Sequence, residues 1–180
     1  MKKHILVCGL NGSGKSTFAK ALAGKLDAVY KDIEDYYFPD RRAEDAYAEP
    51  RSREEVSQRL LSDLQSSDRI VLAAVKANYS EDIEKSFSAA ICMETPKAVR
   101  LTRIRERSFK KFGERMLKGG DLYESEEAFF RMAQARSESL VEDWLSRLDI
   151  PVIRIDGTLP IDENVDRVIS VLDQAGWNSP

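Results

Sequence analysis

The octapeptide Gly9-Leu10-Asn11-Gly12-Ser13-Gly14-Lys15-Ser16 constrains this chain more than any other segment. It lies between an apolar run, Ile5–Cys8, and a stretch with helical spacing. It fits the pattern G-x-x-x-x-G-K-[ST] at every fixed position. Glycine adopts positive φ without a Cβ clash, so the backbone can turn until successive N–H groups point into one concavity. The helix that follows presents its positive end to the same point. The anion that suits such a loop is a polyphosphate. Lys15 supplies a mobile charge for the β- and γ-phosphates, and the Ser16 hydroxyl suits Mg2+. A chance glycine-rich turn has no reason to follow a strand and open a helix, which is the order the mechanism demands.

The rest of the chain alternates in the same way. Lys3–Cys8 reads as a buried strand and Ser16–Leu26 as a helix with Phe18, Leu22 and Leu26 on one stripe. Ala28–Lys31 reads as a second strand, and Asp32–Pro50, polar and proline-punctuated, as mostly loop. Ser52–Ser67 carries a capping-box pattern, Ser52 with Glu55, ahead of Val56, Leu60 and Leu64. Ile70–Val75 and Ala89–Met93 are apolar strands. Thr95 is expected to cap a helix with Pro96 in its first turn, running to Phe112 and stopping near Gly113. A loop at Lys118–Asp121 precedes one long helix, Ser125 to about Leu148. A last strand, Val152–Ile155, and a helix bearing Val165, Val168, Ile169 and Leu172 close the chain. Alternating strands and helices predict an α/β, three-layer fold: a parallel sheet of five strands flanked by helices, in a single domain over residues 1–180. Ligands of such sheets bind beyond the carboxyl ends of the strands.

Composition narrows the function. In 180 residues, 42% are hydrophobic and 33% charged, the balance of a globular protein. A net charge of -3 supplies no basic field for nucleic acid, and no apolar run has the length of a membrane span. Neither nucleic acid nor membrane is therefore an expected partner. Ile5–Cys8 is too short for the hydrophobic region of a signal peptide. Cys8 and Cys92 each sit in an apolar run and read as small buried hydrophobes of a reducing compartment, with no disulfide and no metal. The lone histidine, His4, reads as solvated or capping. The expected location is the cytoplasm.

Two further clusters carry chemistry. Asp32-Ile33-Glu34-Asp35-Tyr36-Tyr37-Phe38 follows the second strand, and transfer of a phosphoryl group needs a carboxylate beside the acceptor hydroxyl. A solvated acidic loop is the bland alternative. Arg100, Arg103, Arg105 and Arg107 crowd one helix, where Arg103 and Arg107, four apart, share a face. After Ile70–Val75 the chain reads Lys76-Ala77-Asn78-Tyr79, without the Asp that many phosphate-loop proteins place there for Mg2+. That gap weighs against AAA+ motors and most ATPase switches. The absence of Asn-Lys-x-Asp lowers the GTPase reading.

With these motifs in place, the chain resembles the P-loop kinases, in particular the nucleoside monophosphate kinase and shikimate kinase branch, over nearly its whole length. The resemblance implies ATP and Mg2+, with nucleotide contacts at Gly9, Asn11, Gly12, Ser13, Gly14, Lys15, Ser16 and Thr17. Asp32-x-Glu34 looks like the acidic pair of shikimate kinases, which implies Asp32 beside Ser16 as a metal group. Glu34 to Pro39 looks equally like the matching segment of uridine kinase-like enzymes, where an Asp is the base, so Asp32 and Asp35 share that role. Arg103 and Arg107 match the arginines that stack on adenine and reach phosphate in nucleoside monophosphate kinases. Phe109–Glu124 would be a helical lid with Arg115 on it, followed by Arg131 and Arg136. Gly157, in Asp156-Gly157-Thr158-Leu159-Pro160, would pass over the adenine. Arg41, Arg42, Arg51 and Arg53 suit an anionic group on the acceptor. The implied partners are ATP and a small molecule, in a monomer or homodimer. A noncatalytic nucleotide switch is the rival class.

Overall fold

The computed structural model describes residues 3–39 and 49–177. Strands β1 (Lys3–Cys8), β2 (Val29–Asp32), β3 (Arg69–Ala74), β4 (Phe87–Glu94) and β5 (Val152–Asp156) form one sheet in the order β2-β3-β1-β4-β5. Every pairing is parallel. The central strands are apolar along both faces, as burial between two helical layers requires.

Helices α1 (Lys15–Lys25) and α8 (Ile161–Gln174) cover one face, where Phe18, Leu22, Val165 and Val168 pack on Ile5, Val7 and Ile91. The other face is covered by α3 (Arg53–Ser66), through Val56, Leu60 and Leu64. Its capping box forms as read from Ser52 and Glu55, with the Ser52 hydroxyl accepting from the Glu55 N–H at 3.2 Å. Helix α5 (Lys97–Phe112) leads from β4 and ends at Gly113, as expected.

Several elements depart from the sequence reading. Residues 33–37 form a short helix, α2 (Ile33–Tyr37), and not loop, because the Asp32 carboxylate caps it by accepting the Glu34 N–H at 3.0 Å. A further short helix, α4 (Glu81–Lys85), carries only Ile83 into the core, too little for a periodic signal. Pro96, not Thr95, occupies the capping position of α5, and the Thr95 hydroxyl donates to the Ser13 carbonyl at 3.1 Å. The expected long helix is two: α6 (Tyr123–Ala135) and α7 (Glu142–Leu145). Their inner residues serve different clusters, Phe130 and Ala133 packing with Ile104, and Val141 and Trp144 packing against the sheet. A straight helix cannot face both. His4 is buried and not solvated: its Nδ1 accepts from the Ile70 N–H and its Nε2 lies 2.9 Å from the Leu64 carbonyl. Both cysteines are buried and free.

Candidate functional site

The loop from β1 to α1 folds as its glycines dictate. Gly12 and Gly14 sit at φ 80° and 97°, and Gly14 opens α1. A Cβ on Gly12 would lie 2.3 Å from the Arg100 carbonyl oxygen, so the loop is seated directly on the first turn of α5.

Lys15 is only 8% exposed, and makes no ion pair with a described residue. Burial holds its ammonium below the usual lysine range. The Glu34 and Asp32 carboxylates favour its charge, and Arg107 and Arg136 oppose it. All four groups therefore lie within electrostatic reach of Lys15. The Tyr30 hydroxyl donates to Asp32 Oδ2 at 3.1 Å. Burial first, then the Asp32 charge, raises its pKa, and the nearby Ser16 hydroxyl opposes the shift. Tyr30 thus stands beside both members of the expected metal pair, Ser16 and Asp32.

Three arginines hold the loop from the β4–β5 side. Arg100, 1% exposed, donates to the Thr95 carbonyl at 3.1 Å, the Asn11 carbonyl at 3.2 Å and Glu138 Oε1 at 2.6 Å. Arg103 donates to the carbonyls of Ser13 at 3.3 Å and Gly157 at 3.0 Å, which ties the loop to the turn after β5. Arg136 donates to Asn11 Oδ1 at 2.7 Å. Arg100 was overlooked in the sequence because a charged run reads as a solvated face. Only its position on the inner side of α5 separates it from its neighbours.

The remaining expected residues are dispersed. Arg115 pairs with Asp121 at 2.6 Å on the surface of the Phe109–Glu124 segment. Arg105 lies over the Phe130 ring, 4.2 Å from its centre, and pairs with Glu127. Arg53 lies over the Tyr79 ring at 4.6 Å, and Arg51 donates to the Tyr36 carbonyl at 3.0 Å. Arg41 and Arg42 lie outside the described residues.

Beside β2, a groove of about 370 Å3 is lined by Tyr30, Lys31, Asp32, Asp35, Tyr36, Arg51, Arg59, Ser62 and Asp63. Asp63 accepts from Tyr36 at 2.5 Å and pairs with Lys31 at 2.7 Å. Burial pushes the Asp63 carboxyl up, but the Lys31 and Tyr36 hydrogen bonds outweigh it and hold the group below the usual carboxylate range. Asp32 therefore faces both loop and groove, Glu34 acts on Lys15, and Asp35 belongs to the groove. Asp63 and Arg59 escaped the sequence reading because they look like ordinary polar positions of α3. A larger cavity of about 550 Å3 lies at the ends of β4 and β5, and neither Lys15, Ser16 nor Asp32 lines it.

A phosphate loop on the central strand of a parallel β2-β3-β1-β4-β5 sheet defines a P-loop kinase fold. Solved structures share it. A gluconokinase from Sinorhizobium meliloti 1021 superposes with a TM-score of 0.58 at 17% identity, covering 98% of this chain and 94% of that one. The shikimate kinase from Aquifex aeolicus VF5 gives 0.56 at 14%, covering 98% and 99%. The chain belongs to the family described as "AAA domain", whose model matches residues 5–128. The missing aspartate after β3 thus did not keep the chain out of a family bearing that name. The uncharacterized protein YqaC of Bacillus subtilis (strain 168) is 29% identical over 180 residues, 96% of this chain and 98% of that protein. Among the described residues, no helix is long and apolar enough to cross a membrane.

Proposed function

We propose that the protein transfers the γ-phosphoryl group of ATP to a hydroxyl of a small molecule bound on the β2 side of the loop. The observation that carries this is Lys15: a buried ammonium without an ion pair among the described residues, set on a loop with positive-φ glycines and facing two carboxylates. A buried cation is costly unless an anion joins it, and a polyphosphate supplies one. The carboxylates suit an acceptor hydroxyl, whose proton they can take. The gluconokinase and shikimate kinase that share the fold act on small hydroxylated molecules, in keeping with this reading.

Asp32 and Ser16, both beside Tyr30, are the residues that would hold Mg2+, which would offset phosphate charge. Lys15, Arg107 and Arg136 would stabilise charge on the transferred group. Asp32 is the preferred base, since it alone of the acidic cluster both acts on Lys15 and lines the groove; Asp35 would position the acceptor. Arg103 would set the adenine turn at Gly157. Phe109–Glu124 would close over the site as a lid within the single domain, bringing Arg115 inward and excluding water.

The test is ADP release across a panel of sugars, sugar acids, shikimate, nucleosides and nucleoside monophosphates, with Lys15→Ala alongside. One acceptor should speed ADP release, and Lys15→Ala should lose that rate with no fall in melting temperature. ATP binding with no acceptor effect anywhere on the panel would hand the protein to the rival class, a noncatalytic nucleotide switch.

A further inference from the structure

Three side chains stand in one row across neighbouring strands, just below the phosphate loop. Cys8 of β1 is the register partner of Cys92 of β4, and Cys92 is the register partner of Arg154 of β5. Parallel register puts the three on the same face of the sheet. Both thiols are free, and the Cys8 thiol donates to the Ile91 carbonyl at 3.5 Å. Cys8 is sealed in the core, while Cys92, 6% exposed, lines the 550 Å3 cavity together with Arg154, Glu94 and Glu142. Arg154 is fixed there by Glu94 at 2.9 Å and Glu142 at 2.8 Å.

The two sulfurs have unequal character. The neighbouring Cys8 thiol holds the Cys92 thiol below its ordinary range against the effect of burial, and the Arg154 charge helps. The same proximity and burial push the Cys8 thiol up. A low-range thiol that lines a cavity, beside a partner sealed in the core, is the arrangement of an attacking and a resolving cysteine.

We propose that Cys92 and Cys8 close to an intrachain disulfide when the protein meets hydrogen peroxide, and that the oxidised chain binds nucleotide weakly. In the first step the Cys92 sulfur attacks peroxide: an S–O bond forms, the O–O bond breaks, and water leaves. In the second, the Cys8 sulfur attacks the Cys92 sulfenic acid: the S–S bond forms, the S–O bond breaks, and a second water carries off the Cys8 proton. Two thiols lose two electrons and peroxide gains them.

The consequence for nucleotide rests on the phosphate-loop reading above. Cys8 is the last residue of β1, and Gly9 begins the loop. A disulfide draws two sulfurs to about 2 Å and their Cβ atoms to roughly 3.8 Å, closer than the ~4.8 Å spacing of paired strands. The strand ends must then shift together. Gly9 cannot absorb that shift freely, since a Cβ on it would lie 2.8 Å from the Met93 carbonyl oxygen, so the loop moves with them.

The experiment treats the reduced full-length protein with hydrogen peroxide, quenches with an alkylating agent, and reads intact mass, a non-reducing peptide map and ATP affinity by calorimetry. The expected result is loss of two hydrogens within one chain, a linked Cys8–Cys92 peptide, ATP binding weakened at least tenfold, and full reversal by dithiothreitol. Cys8→Ser should stop at a sulfenic acid on Cys92, trapped by dimedone, and Cys92→Ser should keep its thiol and its affinity. Cys8→Ala replaces Cys8→Ser should the buried hydroxyl impair folding. Two thiols still alkylated after peroxide, a disulfide between chains, irreversible oxidation of Cys92 without a cross-link, or a cross-link with unchanged affinity would each overturn the proposal. A reduced protein that binds no ATP sinks the kinase reading and the affinity half of this one, while the cross-link stands or falls on the mass alone.

Discussion

On the β4–β5 side of the phosphate loop, Arg100 is sealed from water and donates to three acceptors, two of them backbone carbonyls. On the β2 side, Lys31 and Asp63 pair with their side chains 33% and 34% exposed, in an open groove. The first flank is a fixed seat, where shielded guanidinium groups meet backbone carbonyls of the loop and of the turns beside it. The second is an adaptable wall, where water competes for every charge and each pair contributes little. On the proposed reading, rigidity suits the nucleotide, whose ligand is always the same, and the open wall suits the acceptor, keeping its charges available until the acceptor arrives.

The largest expected effect tests the charge between the two flanks. Lys15→Ala should weaken ATP binding by on the order of 1.5–3 kcal/mol, at least tenfold, and abolish transfer, while the melting temperature does not fall and rises as the buried charge is removed. Calorimetry and thermal unfolding read both, and wild-type affinity would erase the special position of Lys15.

Next comes the seat itself. Arg100→Met leaves the Thr95 and Asn11 carbonyls without a buried donor, at about 1–3 kcal/mol each, so the melting temperature should fall by roughly 10 °C. An unchanged value would place the rigidity of this flank elsewhere.

On the adaptable wall the expected changes are kinetic. Asp32→Asn should lose transfer while still binding ATP, and Asp35→Asn should raise the acceptor KM with little change in kcat. Reversed outcomes would make Asp35 the base and move the reacting hydroxyl into the groove.

Lys15 also leaves a mark on stability. Its folded pKa lies below the unfolded one, so over the window between them the unfolded chain binds the extra proton and stability rises with pH. Urea unfolding between neutral and alkaline pH should show this slope in the wild type and its loss in Lys15→Met. Equal slopes would mean the ammonium is solvated after all.

The smallest effect is expected at Arg115. Its pair with Asp121 is solvent-exposed, so Arg115→Ala should leave the melting temperature unchanged. A slowed transfer at unchanged stability would then report a lid that carries Arg115 inward.

Much of this was legible in order along the chain. The loop, β1, the capping box of α3 and the stop at Gly113 follow from local rules: positive-φ glycines, reciprocal caps and apolar periodicity act within a few residues. Lys15 was legible for the same reason, while Asp32 and Arg136 were singled out only through the family resemblance. The burial of Arg100 and the place of Asp63 were not legible, because a guanidinium or carboxylate in a charged helix reads identically whether it faces water or a neighbouring carbonyl. The split between α6 and α7 was also hidden, since one periodic stripe serves two cores.

The sequence alone determined the strand–loop–helix unit and the alternation that makes the sheet parallel, because those depend on contacts short in sequence. Only the tertiary structure decided which of four neighbouring arginines is buried, that Tyr30 donates to Asp32, and that Cys8 and Cys92 are register partners on adjacent strands. The first and last of these join residues from separate strands or helices, and which residues meet is set by strand order and register. No local pattern encodes those.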